Sequence, residues 1–193
     1  MKKIWKVFII IAAIVAALLI WNYCDSKRIH VTSVDKYGVW VGDGTVVDHT
    51  AVFPQNLKQV KDVNQYIYTF NDIRLLKDEY QVFLDCEYTP ENFNTEIERL
   101  KQIPYITYQK ECTTCPAYIL NMGDNGLNQY VLVDEDQSRL IYVTTYFIKK
   151  DKLKFSEKYL PQGYCDWGDT DYVYETRFVS DNEKPEIEKR SMD

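Results

Sequence analysis

An uninterrupted run of apolar residues stands near the start of the chain. The run extends from Val7 to Trp21 (VFIIIAAIVAALLIW), and its flanks carry it from Ile4 to Cys24. As a helix that rises about 1.5 Å per residue, a segment of this length would span roughly 30 Å, which matches the hydrocarbon core of a bilayer. The pattern predicts a transmembrane signal-anchor over residues 4–24.

The basic residues on either side of this run predict its orientation. Lys2, Lys3 and Lys6 precede the apolar core, and positive charges in this position favour the cytoplasmic side. Lys27 and Arg28 on the other side weaken this bias without reversing it. We therefore expect a single-pass protein of the cell membrane, with a cytoplasmic N-terminus and an extracytoplasmic C-terminal domain.

Two other interpretations of the apolar segment stay open. A cleaved signal peptide needs small residues after its apolar core, and Ile20 to Tyr23 (IWNY) are bulky. Cleavage after Ala17 would satisfy the small-residue rule, but it would leave the apolar residues 18–21 at the new N-terminus. A lipidated Cys24 would normally follow a small residue, whereas it follows Tyr23. These residues favour an uncleaved anchor.

In the exported part, apolar and polar residues alternate as they do in β-strands. Tyr80 to Tyr88 (YQVFLDCEY) places apolar side chains on one face and mostly polar ones on the other, which predicts a strand over a core. Further strands are predicted over residues 37–47 (two short strands around a Gly-Asp-Gly turn), 65–70, 117–122, 129–134, 140–148 and 172–179. The three strands over residues 117–122, 129–134 and 140–148 are predicted to form an antiparallel meander, because Asn125-Gly126 is a strong hairpin signal.

One amphipathic helix interrupts the strands. Thr89 offers a capping hydroxyl, and Pro90 takes the first helical position. Apolar side chains then recur at i, i+4 and i+7 along one side, at Phe93, Ile97 and Leu100. The pattern predicts a helix over residues 90–103 that packs one face on the sheet.

These elements predict an α+β fold, in which a mostly antiparallel sheet of about six or seven strands carries one amphipathic helix on a face, after an N-terminal transmembrane helix. No linker or repeat divides the exported part. We expect a polar stalk over residues 25–34, one extracytoplasmic α+β domain over residues 35–180 and a charged flexible tail over residues 181–193.

The charge balance excludes one class of partner. The chain carries a net charge of −6, and the three lysines of the leader contribute +3 without any acidic residue, so the rest carries −9. Such a domain repels phosphate backbones, and no basic patch with interleaved aromatics is present, so we expect no nucleic-acid binding. The expected partners are the membrane, through the N-terminal helix, and a protein or another component of the envelope.

The sharpest candidate motif is a C-x-x-C pair at Cys112 and Cys115, which could bind zinc or shuttle a disulfide. A thioredoxin-type site needs a helix after its first cysteine, whereas Pro116 and a predicted strand follow here. Cys112, Cys115 and Cys165 could bind zinc, with Cys86 as a fourth ligand. They are weak candidates, because no histidine and no second C-x-x-C pair lies nearby. An oxidising exterior also allows disulfides among these four cysteines, in any of three pairings, and plain structural thiols are a further alternative.

Two other groups of residues carry weaker signals. Asp166, Asp169 and Asp171, with Glu175, could surround calcium, but they lack the D-x-D-x-D-G register and fit a turn. His49 lies between an aspartate and a threonine and could be a general base in a hydrolase, which would require a concave pocket around it. No nucleophile elbow, zinc-protease motif, P-loop or dinucleotide fingerprint accompanies it. We predict no catalytic residue and no cofactor, and an enzyme is left open as a less favoured alternative.

Several segments together resemble a family of short exported, membrane-anchored bacterial proteins that has no known activity. The resemblance covers most of the exported part and is carried by FP at 53–54, YQVFL at 80–84, YTPENFNTEIERL at 88–100, PAY at 116–118, YVLVDE at 130–135, IYV at 141–143 and YLP at 159–161. It implies a bacterial, exported, one-domain protein and adds no mechanism. We expect a membrane-anchored extracytoplasmic binding or accessory domain, or alternatively a thiol-redox or structural zinc protein built on the Cys112/Cys115 pair.

Overall fold

The N-terminal segment forms a long helix. The computed structural model describes residues 2–25, 28–39, 50–72, 78–110, 115–123, 126–161 and 164, and within the first range it describes the side chains of Trp5 and residues 7–21. Helix α1 is Lys2–Asp25, and all of these described side chains are apolar and exposed. Over the described side chains, which in α1 form an unbroken run only from residue 7 to residue 21, no helix is long and apolar enough to cross a membrane.

A single antiparallel sheet follows, as predicted. Within the described residues it has seven strands, in the spatial order β1-β2-β3-β7-β6-β5-β4. The predicted α+β class with a mostly antiparallel sheet is therefore confirmed. The strands are β1 Arg28–Val31, β2 Val60–Asn71, β3 Glu79–Tyr88, β4 Thr107–Gln109, β5 Ala117–Met122, β6 Leu127–Asp134 and β7 Arg139–Tyr146.

Helix α2, Pro90–Lys101, carries the chain from the centre of the sheet to its far edge. The meander from β4 to β7 then returns, and β7 pairs with β3. The cap is as predicted, because the backbone N–H of Asn92 donates to Thr89 Oγ1 at 3.4 Å. Phe93, Glu96 and Leu100 form the buried side of the helix, which ends two residues before the predicted Ile103.

Both faces of the sheet are covered. The helix face is buried under α2 and the segment that contains Val52 and Phe53. The opposite face is buried under a segment that we call the arm, residues 148–161 and Tyr164, through Phe155 and Leu160. The sequence predicted that the second face of β3 is mostly polar. This face is nevertheless buried, and its polar side chains have hydrogen-bond partners there.

Some sequence predictions differ from the structure, one strand was missed, and other predictions lie outside the described residues. Arg28–Val31, in the predicted stalk, pairs with β2 as the edge strand of the sheet. Tyr37, the predicted start of a strand, lies in a turn after a 3₁₀ turn at Val34–Lys36. Strand β4 was not predicted. The predicted strand over residues 172–179 and the tail over residues 181–193 lie outside the described residues, as do positions 40–47.

Tyr105 is held in an unfavourable backbone conformation between α2 and β4. Its φ is +65° and its side chain is 92% exposed, so burial of the ring does not offset the strain. We expect Tyr105→Gly to raise the free energy of unfolding by about 0.5–1 kcal/mol, because glycine adopts positive φ without a Cβ penalty. Denaturant titration measures this. Tyr105→Ala is the matched control, and a glycine variant no more stable than the alanine variant would contradict the explanation.

Candidate binding groove

A row of polar side chains crosses the arm-covered face of the sheet. His30, Thr69, Gln81, Thr145 and Asn128 lie directly opposite one another on five neighbouring strands. Cross-strand partners share a face, so the five side chains form one continuous line. The last four are buried, whereas His30 is exposed at the edge strand. Asn128 Nδ2 donates to Thr145 Oγ1 at 3.2 Å.

The arm bonds to the middle of this row. Gln81 Oε1 accepts from the backbone N–H of Lys154 at 2.8 Å, and its Nε2 donates to the carbonyl of Lys152 at 3.4 Å. The hydroxyls of Thr145 and Tyr164 are 2.9 Å apart. Buried polar groups need such partners, so these residues hold the arm on the sheet.

The row opens into a groove at its β1 end. A cleft of about 720 Å³ is lined by His30, Thr69, Gln81 and Lys154, among others, and an adjoining cleft of about 430 Å³ is also lined by His30 and Lys154. We call the two together the edge groove. Volumes of this size are typical of small-molecule sites.

The two clefts differ in charge. The larger one contains both signs, and within it Lys152 Nζ lies 2.9 Å from Glu79 Oε1. None of the described residues that line the smaller cleft carries a carboxylate. Lys154 is exposed and lines both clefts, and within the described part of the chain no carboxylate forms an ion pair with it.

A buried ionic pair lies beside the smaller cleft. Arg139 donates to both carboxylate oxygens of Asp85, through Nε at 2.6 Å and Nη2 at 2.5 Å. Hydrogen bonding to Asp85 raises the pKa of Arg139, so the guanidinium stays charged. Asn64, which lines the smaller cleft, donates to Asp85 Oδ1 at 3.3 Å, and Arg139 also donates to the Tyr159 hydroxyl at 3.2 Å.

A second polar cluster lies on the helix face. Glu96 accepts from Tyr142 at 2.8 Å and from Arg99 Nη2 at 2.7 Å, and the hydroxyls of Tyr88 and Tyr142 are 2.7 Å apart. Arg99 also donates to the carbonyl of Val52 at 2.7 Å. Burial, together with the neighbouring Tyr88 and Glu96, raises the pKa of Tyr142 well above its ordinary value, so it remains a donor. The cluster ties α2 to the sheet and to the segment over it.

We expect Glu96→Ala to lower the free energy of unfolding by about 2–3 kcal/mol, because it removes the buried carboxylate that accepts from both the Tyr142 hydroxyl and Arg99. Equilibrium denaturation measures this loss. Glu98→Ala removes an exposed carboxylate paired with Lys101 and should change stability by less than about 1 kcal/mol. Equal effects of the two substitutions would show that the buried cluster contributes nothing beyond a surface pair.

Cys86 and Cys115 do not form a site with each other. Cys86 is buried in the core on the helix face, and Cys115 packs against the core on the other face, so the two do not meet. Burial raises the pKa of the Cys86 thiol, which keeps it protonated and unreactive. No cluster of metal-binding side chains occurs among the residues that the structure describes. Cys112 and Cys165 lie outside them.

The other candidates have different outcomes. His49 and the aspartates at 166, 169 and 171, with Glu175, lie outside the described residues. His30, which the sequence placed in the stalk, lines the edge groove instead. The sequence signal for it was the alternation of Arg28–Val31, which is only four residues long and is not distinctive. Comparison with protein-family models, curated proteins and solved structures finds no match to this chain.

Proposed function

We propose that this chain is a membrane-anchored extracytoplasmic binding domain. Helix α1 would hold it at the outer face of the cell membrane, and the edge groove would receive a component of the envelope or a segment of a partner protein. The observation that carries the proposal is the surface of α1. Its large apolar side chains are 49–72% exposed, and no side of the helix over residues 7–21 is polar.

The physical argument concerns the solvent of this helix. A helix that is apolar all round is stable inside a large core or a bilayer, and no described side chain of this one belongs to either core cluster of the sheet. At 24 residues it is about 36 Å long, and a helix satisfies its own backbone hydrogen bonds in hydrocarbon. In water the same helix would expose a continuous apolar surface, which in soluble proteins marks an interaction site or leads to aggregation.

The proximity of the anchor to the groove supports a role at the membrane surface. Helix α1 ends at Asp25, and β1 begins at Arg28. From Asp25 to Arg28 the chain advances three residues, which can span only about 10 Å. His30 lines the groove near the start of the same strand. A ligand in the edge groove would therefore lie near the headgroups.

The anchor is tested by charges placed in the middle of the helix. The double variant Ile10→Arg/Ile14→Arg should lose insertion, because each arginine near the bilayer centre carries a penalty of about 2.5–3.5 kcal/mol. We expect the wild-type chain to stay in the membrane pellet after alkaline carbonate extraction and the double variant to be released. Ile10→Leu/Ile14→Leu is the matched control. Release of the wild type, or retention of the arginine variant at the wild-type level, would overturn the proposal.

A further inference from the structure

The smaller cleft of the edge groove differs in charge from the domain around it. The exported part carries a net charge of −9, and the chain has 29 acidic residues. Among the described residues that line the cleft, none is acidic, and Lys154 is the one lysine or arginine. Asp85, the buried carboxylate nearby, is neutralised by its two bonds to Arg139. The cleft is thus a place on an acidic surface where an anion can approach without direct repulsion.

Neutral hydrogen-bonding residues share the cleft with the lysine. Thr32, Asn64 and Gln65 line the cleft and supply a hydroxyl and two amide groups, and His30 adds a ring nitrogen. Ammonium, hydroxyl and amide donors together suit a compact oxyanion, because hydrogen bonds to a charged oxygen are stronger than neutral ones. The position of His30 and Lys154 at the junction of both clefts leaves the larger cleft for the remainder of the ligand.

We propose that the smaller cleft binds the phosphate group of a phosphate ester, with Lys154 supplying the charge and His30 and Thr32 hydrogen bonds. The choice of an anion rests on the cleft itself. The choice of phosphate rather than carboxylate rests on the proposed function, because phosphate esters are the abundant anions at a membrane surface. The same group occurs in lipid headgroups and in soluble phosphate esters of the envelope.

The test is a titration of the full-length chain in non-ionic detergent with glycerol phosphate, followed by NMR at the backbone amides of Thr32 and Asn64. We expect saturable shifts. Lys154→Gln should weaken binding about tenfold or more, which corresponds to the loss of one charge-assisted bond, while Lys154→Arg should retain most of the affinity. Lys101→Gln, the same change in charge on α2, should bind like the wild type. Shifts that do not saturate, or equal weakening by Lys154→Gln and Lys101→Gln, would overturn the proposal.

A second measurement identifies the source of the phosphate. The chain is placed in lipid nanodiscs of phosphatidylcholine alone or with phosphatidylglycerol. Shifts at Asn64 and Gln65 that appear only with phosphatidylglycerol and are lost in Lys154→Gln assign the site to an anionic headgroup. Shifts that require added glycerol phosphate in both kinds of disc assign it to a soluble ester. Failure of the anchor would appear in the carbonate extraction and would leave the detergent titration unchanged, so the two proposals can fail separately.

Discussion

Replacement of Arg139 by alanine is expected to lower the free energy of unfolding by about 3–5 kcal/mol. The Asp85 side chain is 4% exposed, and Arg139 donates to both of its oxygens. Without the guanidinium, the carboxylate is a buried charge whose remaining hydrogen bond, from Asn64, does not replace the lost ion pair. Denaturant titration followed by tyrosine fluorescence measures the change.

Two control variants separate this effect from a general loss of charge. Lys61→Ala breaks a pair with Glu87 that is largely exposed, and it should change stability by less than about 1 kcal/mol. The double variant Asp85→Leu/Arg139→Met removes both charges and should recover much of the lost stability, since apolar residues can replace a buried pair. If Arg139→Ala destabilises no more than Lys61→Ala, the pair does not hold the strands together.

Truncation of Leu100 is expected to lower the free energy of unfolding by about 2–5 kcal/mol. Leu100 is fully buried where α2 packs on the sheet, and alanine would leave a cavity that the neighbouring rings cannot fill without moving. Thermal and chemical unfolding both report the loss. Ile97→Ala, on the partly buried flank of the same helix, should have a smaller effect. A larger effect at Ile97 would mean that the helix packs on the sheet through a different side.

The sequence predicts the local elements well, because each carries its own signal. The alternation of Tyr80 to Tyr88 and the cap at Thr89 are contained in short segments, and the structure confirms β3 and the start of α2. The edge strands carry no such local signal. Arg28–Val31 and Thr107–Gln109 have four and three residues, too few for a period to stand out, and their conformation depends on the strands beside them.

The edge groove could not be predicted for a related reason. Its polar row joins residues as distant in sequence as His30 and Thr145, and only the register of the strands aligns them. The burial of Gln81 and Asp85 depends in the same way on partners from the arm and from β7. A pattern of polar positions in a strand predicts an exposed face when those partners are not known.

The central claim, that α1 separates the sheet from the cytosol, is tested most directly by labelling with a membrane-impermeant maleimide. Tyr105→Cys and Lys3→Cys place single thiols on the two sides of α1, and Tyr105 is 92% exposed. Cys86 is kept, because it is fully buried and unreactive. The other native cysteines are replaced by serine: Cys24, Cys112, Cys115 and Cys165. Labelling of Tyr105→Cys in intact cells, with labelling of Lys3→Cys only after lysis, is the predicted result. Protection of Tyr105→Cys until lysis would contradict the account.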